Sequence, residues 1–208
     1  SAMPPLSPNR QKLIDAAVEL FSLNGYDGVS IRDLCRVVGI KESSFYNHFH
    51  GKDELLAHIL ETFRQRYRQV MPAEEMLDSL ADLGEPIDFL SGGLNRFLDL
   101  MADPEMRRMN RILNLEQYRS PLARSILLEE VIQRPQKFAE LVFEKFIAQG
   151  KIRPFSPRQL AAAYHLPLVA LLLQYLVLDA AGADPAPVVR QCSDHIQFFS
   201  IMLQTLSE

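Results

Sequence analysis

The sequence is poor in cysteine and lacks the short motifs of the common enzyme classes. Its two cysteines, Cys35 and Cys192, both fall in helical apolar patterns, so no disulfide framework is expected. No GxSxG elbow, phosphate-cradling glycine loop, HExxH helix or CxxC pair is present. His48 and His50 resemble a pair of metal ligands. On an α-helix, however, positions two residues apart point about 200° away from each other, so the two rings are not expected to bind one metal ion. We therefore predict no enzymatic activity, no metal site and no cofactor.

The sequence also lacks alternating runs of β-branched residues and any apolar run long enough to span a bilayer. The stretch from Leu166 to Leu178 is nearly all apolar, but it is shorter than the roughly 20 residues that a span needs. His165, Gln174 and Asp179 interrupt or border it. A helix that is apolar nearly all round is instead buried on both sides. Together with the cysteine usage and the missing signal-peptide pattern, these absences predict an all-α, cytoplasmic protein without membrane contact.

Positive charge is scarce for a chain that would bind nucleic acid. The formal net charge is −4, from 22 Lys and Arg against 26 Asp and Glu. Residues 1–52 carry six of these bases and five of these acids, net +1, and residues 53–208 carry the remaining 16 and 21, net −5. Any nucleic-acid binding must therefore depend on a few placed contacts near the N-terminus rather than on a broad basic field.

Proline and glycine divide the rest of the chain into about nine helices in two domains. Residues 1–52 form an N-terminal domain, a helix over 53–71 with Asp53 as its N-cap connects it, and residues 72–208 form a second helical domain. The non-helical start is Pro4 to Pro8. The predicted helices are Asn9–Leu23, Ser30–Val38, Ile40–Phe49, Asp53–Met71, Ala73–Leu83, Pro86–Ala102, Pro104–Tyr118, Pro121–Gln149 with an interruption at Pro135, Pro157–Ala181 and Pro185–Leu206.

The stretch from Ser30 to Leu56 has the pattern of two short helices around a tight turn. Ser30 with Asp33 three residues later is a helix-start signature, because both side chains can accept from unpaired backbone N–H groups. Gly39 predicts the stop, since glycine adopts the left-handed conformation without steric cost. Phe45 and Phe49 turn inward from the second helix. Helix, glycine turn and helix form a helix-turn-helix, whose second helix enters the DNA major groove.

These residues resemble the DNA-binding signature of the TetR family of bacterial transcriptional regulators. The resemblance rests on fixed spacings, and it is carried by Phe21, Gly25, Tyr26, Val29, Ser30, Ile31, Leu34, Gly39, Phe45, Tyr46, His48, Phe49, Lys52 and Leu55. Cys35, where alanine is usual, and Ser43, where glycine or another small residue is common, depart from it slightly. The rest of the chain is similar only in length and helical character.

The resemblance implies a set of DNA-binding residues: Ser30, Arg32, Lys41, Glu42, Ser43, Ser44, Tyr46 and Lys52. Ser30 caps its helix and can also bond a phosphate, or it is a cap alone. Arg32 can reach a guanine edge, and Glu42 either accepts from a cytosine amine or is a solvated first-turn carboxylate. Tyr46 and Lys52 match family residues that contact phosphates. His48 is expected to pack rather than to read bases.

The resemblance further implies a small-molecule effector site among the middle helices. Candidate lining residues combine apolar bulk with a few polar groups: Phe97, Met101, Met109, Leu113, Gln117, Tyr118, Phe138, Tyr164, His165 and Leu168. Each of them can equally be plain core. Pro167 either frees a backbone carbonyl for a ligand or only kinks its helix.

The last two helices carry more apolar surface than one monomer core uses, which predicts a homodimer. The expected interface residues are Leu171, Leu172, Tyr175, Leu178, Phe198, Phe199, Ile201 and Met202. A two-fold dimer suits a palindromic operator on double-stranded DNA, with major grooves about 34–36 Å apart. Repression is the family's default. A helical protein-interaction module that has lost DNA binding is the competing hypothesis, and the weak +1 charge is its best support.

Overall fold

The computed structural model describes residues 7–70, 74–79 and 82–204, and these contain helices and no strand. The all-α prediction is thereby confirmed. The helices are α1 (Pro8–Asn24), α2 (Ile31–Val38), α3 (Glu42–Phe45), α4 (Lys52–Val70), α5 (Glu74–Ser79), α6 (Pro86–Ala102), α7 (Pro104–Glu116), α8 (Pro121–Ser125), α9 (Arg134–Ala148), α10 (Pro157–Ala180) and α11 (Ala186–Leu203), with a π segment (Ile126–Gln133) between α8 and α9.

Most helix starts follow the predicted proline and cap signals. Asp103 and Ser120 accept from backbone N–H groups at the starts of α7 and α8, each just before a proline that has no N–H to satisfy. Two predicted details are wrong. Pro8 is the first residue of α1 rather than part of a non-helical start, because a fixed φ suits that position. Asp53 lies inside α4 and is not its N-cap. Pro4 to Leu6 lie outside the described residues.

The predicted interruption at Pro135 takes the form of the π segment. α8, the π segment and α9 follow one another without a gap from residue 121 to residue 148. Pro135 has no N–H for the carbonyl of Val131, four residues earlier, and His165 of α10 bonds that carbonyl through Nε2 at 2.8 Å. A lost backbone donor is therefore replaced by a side chain from a neighbouring helix.

The helices form two compact units. The first unit comprises residues up to Arg66 together with 103–127, and the second comprises residues 67–102 and 128 onward. In the first unit α7 packs against α1, so residues of the predicted second domain share a core with the N-terminal helices. The predicted domain limits at 52 and 72 stay a prediction.

The core of the first unit joins α1, the helix-turn-helix, most of α4 and α7. Its fully buried side chains include Leu13, Phe21, Leu34, Phe45, Phe49, Leu55, Ile59, Met106, Ile112 and Leu113. Glu116 at the end of α7 is also buried, and its Oε1 accepts from the Tyr26 N–H at 3.0 Å. α7 thus holds the turn that leads from α1 into α2.

The second unit is built around phenylalanines of α9 and α11. Phe143, Phe146 and Phe199 are buried, and their core extends to Leu77 of α5 and Leu94 of α6. Cys192 in this core and Cys35 in the first unit are both free. Both cysteines are buried, as their apolar helical settings predicted.

Within the described residues, α10 is the one helix that is long and apolar enough to cross a membrane by length and composition. It nevertheless packs against α9 and α11, and His165 in its middle bonds the Val131 carbonyl. One side of α10 is therefore packed against helices of the same unit, but only 22% of its apolar window is buried, so the helix is not buried on both sides as its composition predicts.

Candidate nucleic-acid interface and ligand cavity

The start of α2 is fixed by a reciprocal cap between Ser30 and Asp33. The Asp33 N–H donates to the Ser30 hydroxyl at 3.0 Å, and the Ser30 N–H donates to the Asp33 carboxylate at 2.8 Å. The Ser30 bonds, from its backbone first, lower the pKa of Asp33 below its ordinary value, so the carboxylate is charged at neutral pH. The Ser30 hydroxyl keeps its own proton for an outside acceptor. Capping and phosphate binding are therefore compatible at Ser30.

Gly39 makes the turn between α2 and α3. Its φ is +80°, in the left-handed region, and its N–H donates to the Cys35 carbonyl at 2.8 Å. The following Ile40 N–H donates to the same carbonyl at 3.0 Å. An L side chain at this position is strained by the backbone itself, although a Cβ would meet no atom within 4 Å.

The recognition helix is shorter than the predicted Ile40–Phe49. α3 proper is one turn, Glu42–Phe45, after which the N–H groups of Asn47 and His48 bond three residues back. This tightening lets two rings, Phe45 and Phe49, enter the core on the same side, with centroids 5.9 Å apart. Packing of the phenylalanines thus shortens the regular helix.

Most of the predicted DNA-binding side chains around α3 face solvent. Lys41, Glu42 and Ser43 are exposed, Ser44 is half-buried and Tyr46 is 53% exposed. Lys41 is the residue just before the helix, and no side chain caps α3. The surface is therefore open to a ligand. His48 is half-buried, in agreement with its expected packing role.

Arg32 and Glu42 pair with each other across the turn. Arg32 Nε donates to Glu42 Oε1 at 3.0 Å, and the two side chains are 76% and 49% exposed. An ion pair this exposed contributes at most about 1 kcal/mol, so a DNA group can replace either partner. The sequence alone did not indicate the pair, because the residues are ten positions apart.

Lys52 is not a free surface cation in this structure. Its ammonium donates to the carbonyls of Tyr26 at 2.9 Å and Val29 at 2.8 Å, and it lies 4.1 Å from the centre of the Tyr26 ring. The Tyr26 hydroxyl in turn donates to Asp53. Burial and then Asp53 raise the pKa of Tyr26, which stays a neutral phenol. Lys52 therefore ties the start of α4 to the loop between α1 and α2.

The second unit contains a largely apolar cavity of about 140 Å³. Six of the predicted effector residues line it: Phe97, Met101, Phe138, Tyr164, His165 and Leu168. The other four predicted residues belong to the first unit. There Met109 and Leu113 are buried in the core, Gln117 bonds the Asn114 carbonyl at 3.0 Å, and Tyr118 is 86% exposed. The lining also includes Arg96, which the sequence pattern of apolar residues with a few polar groups did not predict.

Two histidines bond backbone carbonyls beside this cavity. His165, a lining residue, reaches Val131, and His195 Nε2 lies 2.8 Å from the Tyr164 carbonyl, near the kink-prone Pro167. Burial lowers the pKa of His165, which favours the neutral ring. With Nε2–H donating to Val131, the other ring nitrogen of His165 is an acceptor.

The predicted dimer residues divide into a buried set and an exposed set. Leu172 and Phe199 are buried within their own chain, Leu171 and Tyr175 line the cavity, and Leu178 is half-buried. The exposed large apolar side chains on these two helices are Leu166, Leu173 and Val177 of α10 and Phe198, Ile201 and Met202 of α11. The first three were missed, although they recur at helical spacing. In the described part of the chain, no group of three or more His, Cys, Asp or Glu side chains has metal-site geometry.

Comparison with known proteins identifies the region that contains this surface. The family described as "Bacterial regulatory proteins, tetR family" matches residues 13–59, from within α1 to within α4. This region belongs to the TetR family. Its relatives are transcriptional regulators rather than enzymes.

Two curated relatives illustrate how far the sequence similarity to TetR-family proteins extends. The probable HTH-type transcriptional regulator ArpR of Pseudomonas putida is 30% identical over 105 residues, which is 50% of this chain and 49% of that protein. The match therefore spans about half the length of that relative. The HTH-type transcriptional repressor AcnR of Corynebacterium diphtheriae is 26% identical over 86% of this chain and 85% of its own length.

A solved structure is similar to this one over nearly the whole chain. Salmonella enterica GusR superposes with a TM-score of 0.65 at 18% identity, over 98% of this chain and 99% of that one. This likeness concerns the fold. It extends beyond the N-terminal match to the helices that surround the cavity.

Proposed function

We propose that this TetR-family protein is a transcriptional regulator that binds a palindromic DNA operator as a homodimer. The observation that carries the proposal is the surface formed by Lys41, Glu42, Ser43 and Tyr46, whose side chains are exposed while Phe45 and Phe49 are buried beneath them. The first residues of a recognition helix are those that reach base edges in the major groove. Repression, released by a small apolar or amphipathic effector, is the proposed mode of action.

The proposed DNA contacts divide into positioning and reading residues. Ser30, Tyr46 and Lys41 can donate to phosphates, whereas Arg32 can read guanine and Ser43 or Ser44 can meet base edges. Two of the three N–H groups of the Lys52 ammonium already donate to carbonyls, so the third is available to a phosphate. Few contacts suit the net charge of +1 over residues 1–52.

The proposed dimer joins α10 and α11 of one protomer to their copies in the partner. The exposed apolar side chains on these helices, which include Val177 at 68% and Ile201 at 65%, would be removed from water there. A two-fold axis would place two copies of α3 for a palindromic site.

The proposed effector site is the cavity of the second unit. Its volume of about 140 Å³ and apolar lining suit a small molecule. Such a ligand acts on DNA binding only if it prefers one arrangement of the protein, with typical coupling of about 1–3 kcal/mol.

Selection of bound fragments from a random duplex library tests the DNA-binding proposal. We expect an enriched inverted repeat, and log affinity should fall with log salt on a shallow slope, because few phosphates are contacted. Tyr46→Phe should weaken binding to all sequences alike, and Tyr118→Phe, on a tyrosine 86% exposed, is the matched control. If no sequence is enriched at low salt, the chain is better explained as a protein-interaction module.

A further inference from the structure

We propose that the effector of this cavity is an amphipathic anion, a small carboxylate whose apolar body fills the cavity and whose charge meets Arg96. The inference depends on the proposed effector role of the cavity and specifies its ligand class. It rests on the volume, the charge and the polar groups of the lining.

The volume limits the apolar body of the ligand to about one ring or a short chain. The cavity measures about 140 Å³, and the lining includes the rings of Phe89, Phe97, Phe138 and Tyr164. An apolar cavity of about 150 Å³ is known to accept benzene. A single aromatic ring with a short polar tail is therefore a suitable probe.

Arg96 supplies the one formal charge among the described lining residues. It precedes Phe97 on α6, lies one turn after Gly93 and is exposed, which places it where the cavity meets solvent. No described acidic side chain forms an ion pair with it. A guanidinium without a protein partner at the edge of an apolar site can bind a carboxylate through two parallel hydrogen bonds.

The lining offers a cation no carboxylate. The described lining residues include no Asp or Glu, and burial raises the pKa of Tyr67 and Tyr164, which stay neutral phenols. The buried carboxylate of Glu130, which also raises the pKa of the lining residue Tyr67, does not line the cavity and already pairs with Arg68 and with Arg134 at 3.6 Å. An ammonium ligand would therefore lose its hydration without a counter-charge.

Neutral donors and acceptors complete the proposed site. Tyr164 carries a hydroxyl, and His165 presents an acceptor nitrogen once its other nitrogen donates to Val131. Both suit a protonated or hydroxyl-bearing substituent on the ring. They add selectivity for substituents but do not decide the charge of the ligand.

Three probes with one apolar body and different charges test the proposal on the full chain. Calorimetric titration should show 3-phenylpropanoate binding at least tenfold more tightly than 3-phenylpropanol, and 3-phenylpropylammonium binding most weakly. Arg96→Gln should reduce the acid to the affinity of the alcohol, and Arg96→Lys should restore part of the difference. Arg158→Gln, at an exposed arginine of α10 outside the lining, is the matched control and should leave all three affinities unchanged.

The outcomes separate this inference from the proposed function. If the acid and the alcohol bind equally, and Arg96→Gln changes neither, the anion preference is wrong while the cavity remains a ligand site. Tightest binding by the ammonium probe would also overturn it, in favour of recognition by the aromatic rings. If no probe binds the unmodified protein, the effector role of the cavity fails together with this inference. Thermal melting of each variant checks that the fold is kept.

Discussion

At the scale of single residues, Lys52 makes hydrogen bonds within the protein in addition to the phosphate contact that the family resemblance implies. The phosphate contact is a prediction from resemblance, whereas the bonds to the Tyr26 and Val29 carbonyls are features of the free protein. One ammonium has three N–H groups, so the two roles are compatible. A loss of DNA binding at this position therefore needs a stability measurement beside it.

We expect Lys52→Ala to lower the free energy of unfolding by about 1–3 kcal/mol, because it leaves two partly buried carbonyls without their charged donor. Chemical denaturation measures this change, and Lys12→Ala, at an exposed lysine of α1, is the control. Unchanged stability with weaker DNA binding would assign Lys52 to phosphate contact alone.

Arg32 and Glu42 make a second test possible at this scale. Arg32→Ala should relax base preference at one position of each half-site by about 1–3 kcal/mol, the range for a bidentate contact with guanine. Glu42→Ala should tighten binding to all sequences, because it removes a negative charge and frees Arg32. Competition assays on operator variants measure both effects.

Arg36→Ala is the control for this pair, since Arg36 lies on the same helix and is 72% exposed. Equal losses from Arg32→Ala on every operator variant would contradict base reading by Arg32. A change of base preference in Glu42→Ala would instead favour the alternative role of Glu42 as an acceptor from cytosine.

At the scale of elements, the adjacent glycines Gly92 and Gly93 of α6 differ in their position relative to the cavity. Gly93 lines the cavity and Gly92 does not, although a Cβ at either position would meet nothing within 4 Å. Both sit inside a helix, where glycine is about 1 kcal/mol less favourable than alanine. The pair is therefore a matched probe of the cavity.

Gly93→Ala should weaken effector binding about tenfold, because overpacking a filled site by one methyl group costs about 1–3 kcal/mol. Gly92→Ala should leave the affinity unchanged, and both variants should melt at higher temperature. Calorimetry with a bound probe and thermal melting are the two measurements. Equal affinities for the two variants would place the ligand away from α6.

Two half-buried histidines, His165 of α10 and His58 of α4, make the stability of the protein depend on pH. Burial lowers the pKa of His165, and burial and then Arg10 lower that of His58, below the ordinary value of 6.5. At a pH between the folded-state and the unfolded-state pKa values, the unfolded chain binds more protons than the folded chain. The free energy of unfolding is therefore largest above about pH 6.5 and decreases as the pH falls below this value.

Urea denaturation at pH 7.5 and 5.5 should therefore show a lower free energy of unfolding at the acid value. His165→Gln should reduce that difference, because it removes one of the two rings whose pKa burial lowers. His50→Gln, at an exposed histidine, is the control. An identical pH dependence in His165→Gln and in the unmodified protein would contradict the role of His165.

At the scale of the whole molecule, the proposed dimer depends on the exposed apolar side chains of α10 and α11. Phe198 is 63% and Ile201 is 65% exposed, on a helix whose opposite side carries the buried Ile196 and Phe199. One face of α11 is thus used by its own core, and the other face is exposed and available to the proposed partner.

The double variant Phe198→Glu, Ile201→Glu should be a monomer and should lose operator affinity, because a dimer interface would have to bury its charges. Sedimentation or light scattering measures the mass in solution. Phe155→Glu changes an aromatic residue that is 47% exposed outside these helices, and should remain dimeric. A dimeric double variant would remove α11 from the proposed interface.

Much of this organisation follows from local chemistry that the sequence displays. The Ser30 cap, the left-handed Gly39 and the proline starts of α6, α7, α8 and α10 all depend on groups within a few residues of each other. The same holds for the inward-facing Phe45 and Phe49. Local signals of this kind determined the helical class and the place of the helix-turn-helix, and fixed spacings within it indicated the family.

Tertiary structure alone decided which distant groups meet. The contact of Glu116 with the Tyr26 N–H, the pairing of Arg32 with Glu42 and the bond from His165 to Val131 join residues 90, 10 and 34 positions apart. The spacing of apolar residues in the sequence predicts which side of a helix is apolar, but it does not predict which other helix packs against that side. For this reason the sequence predicts residues of α7 in the effector site, whereas the structure packs α7 against α1. For the same reason the sequence did not indicate Arg96 of α6 as the charged residue of the cavity lining.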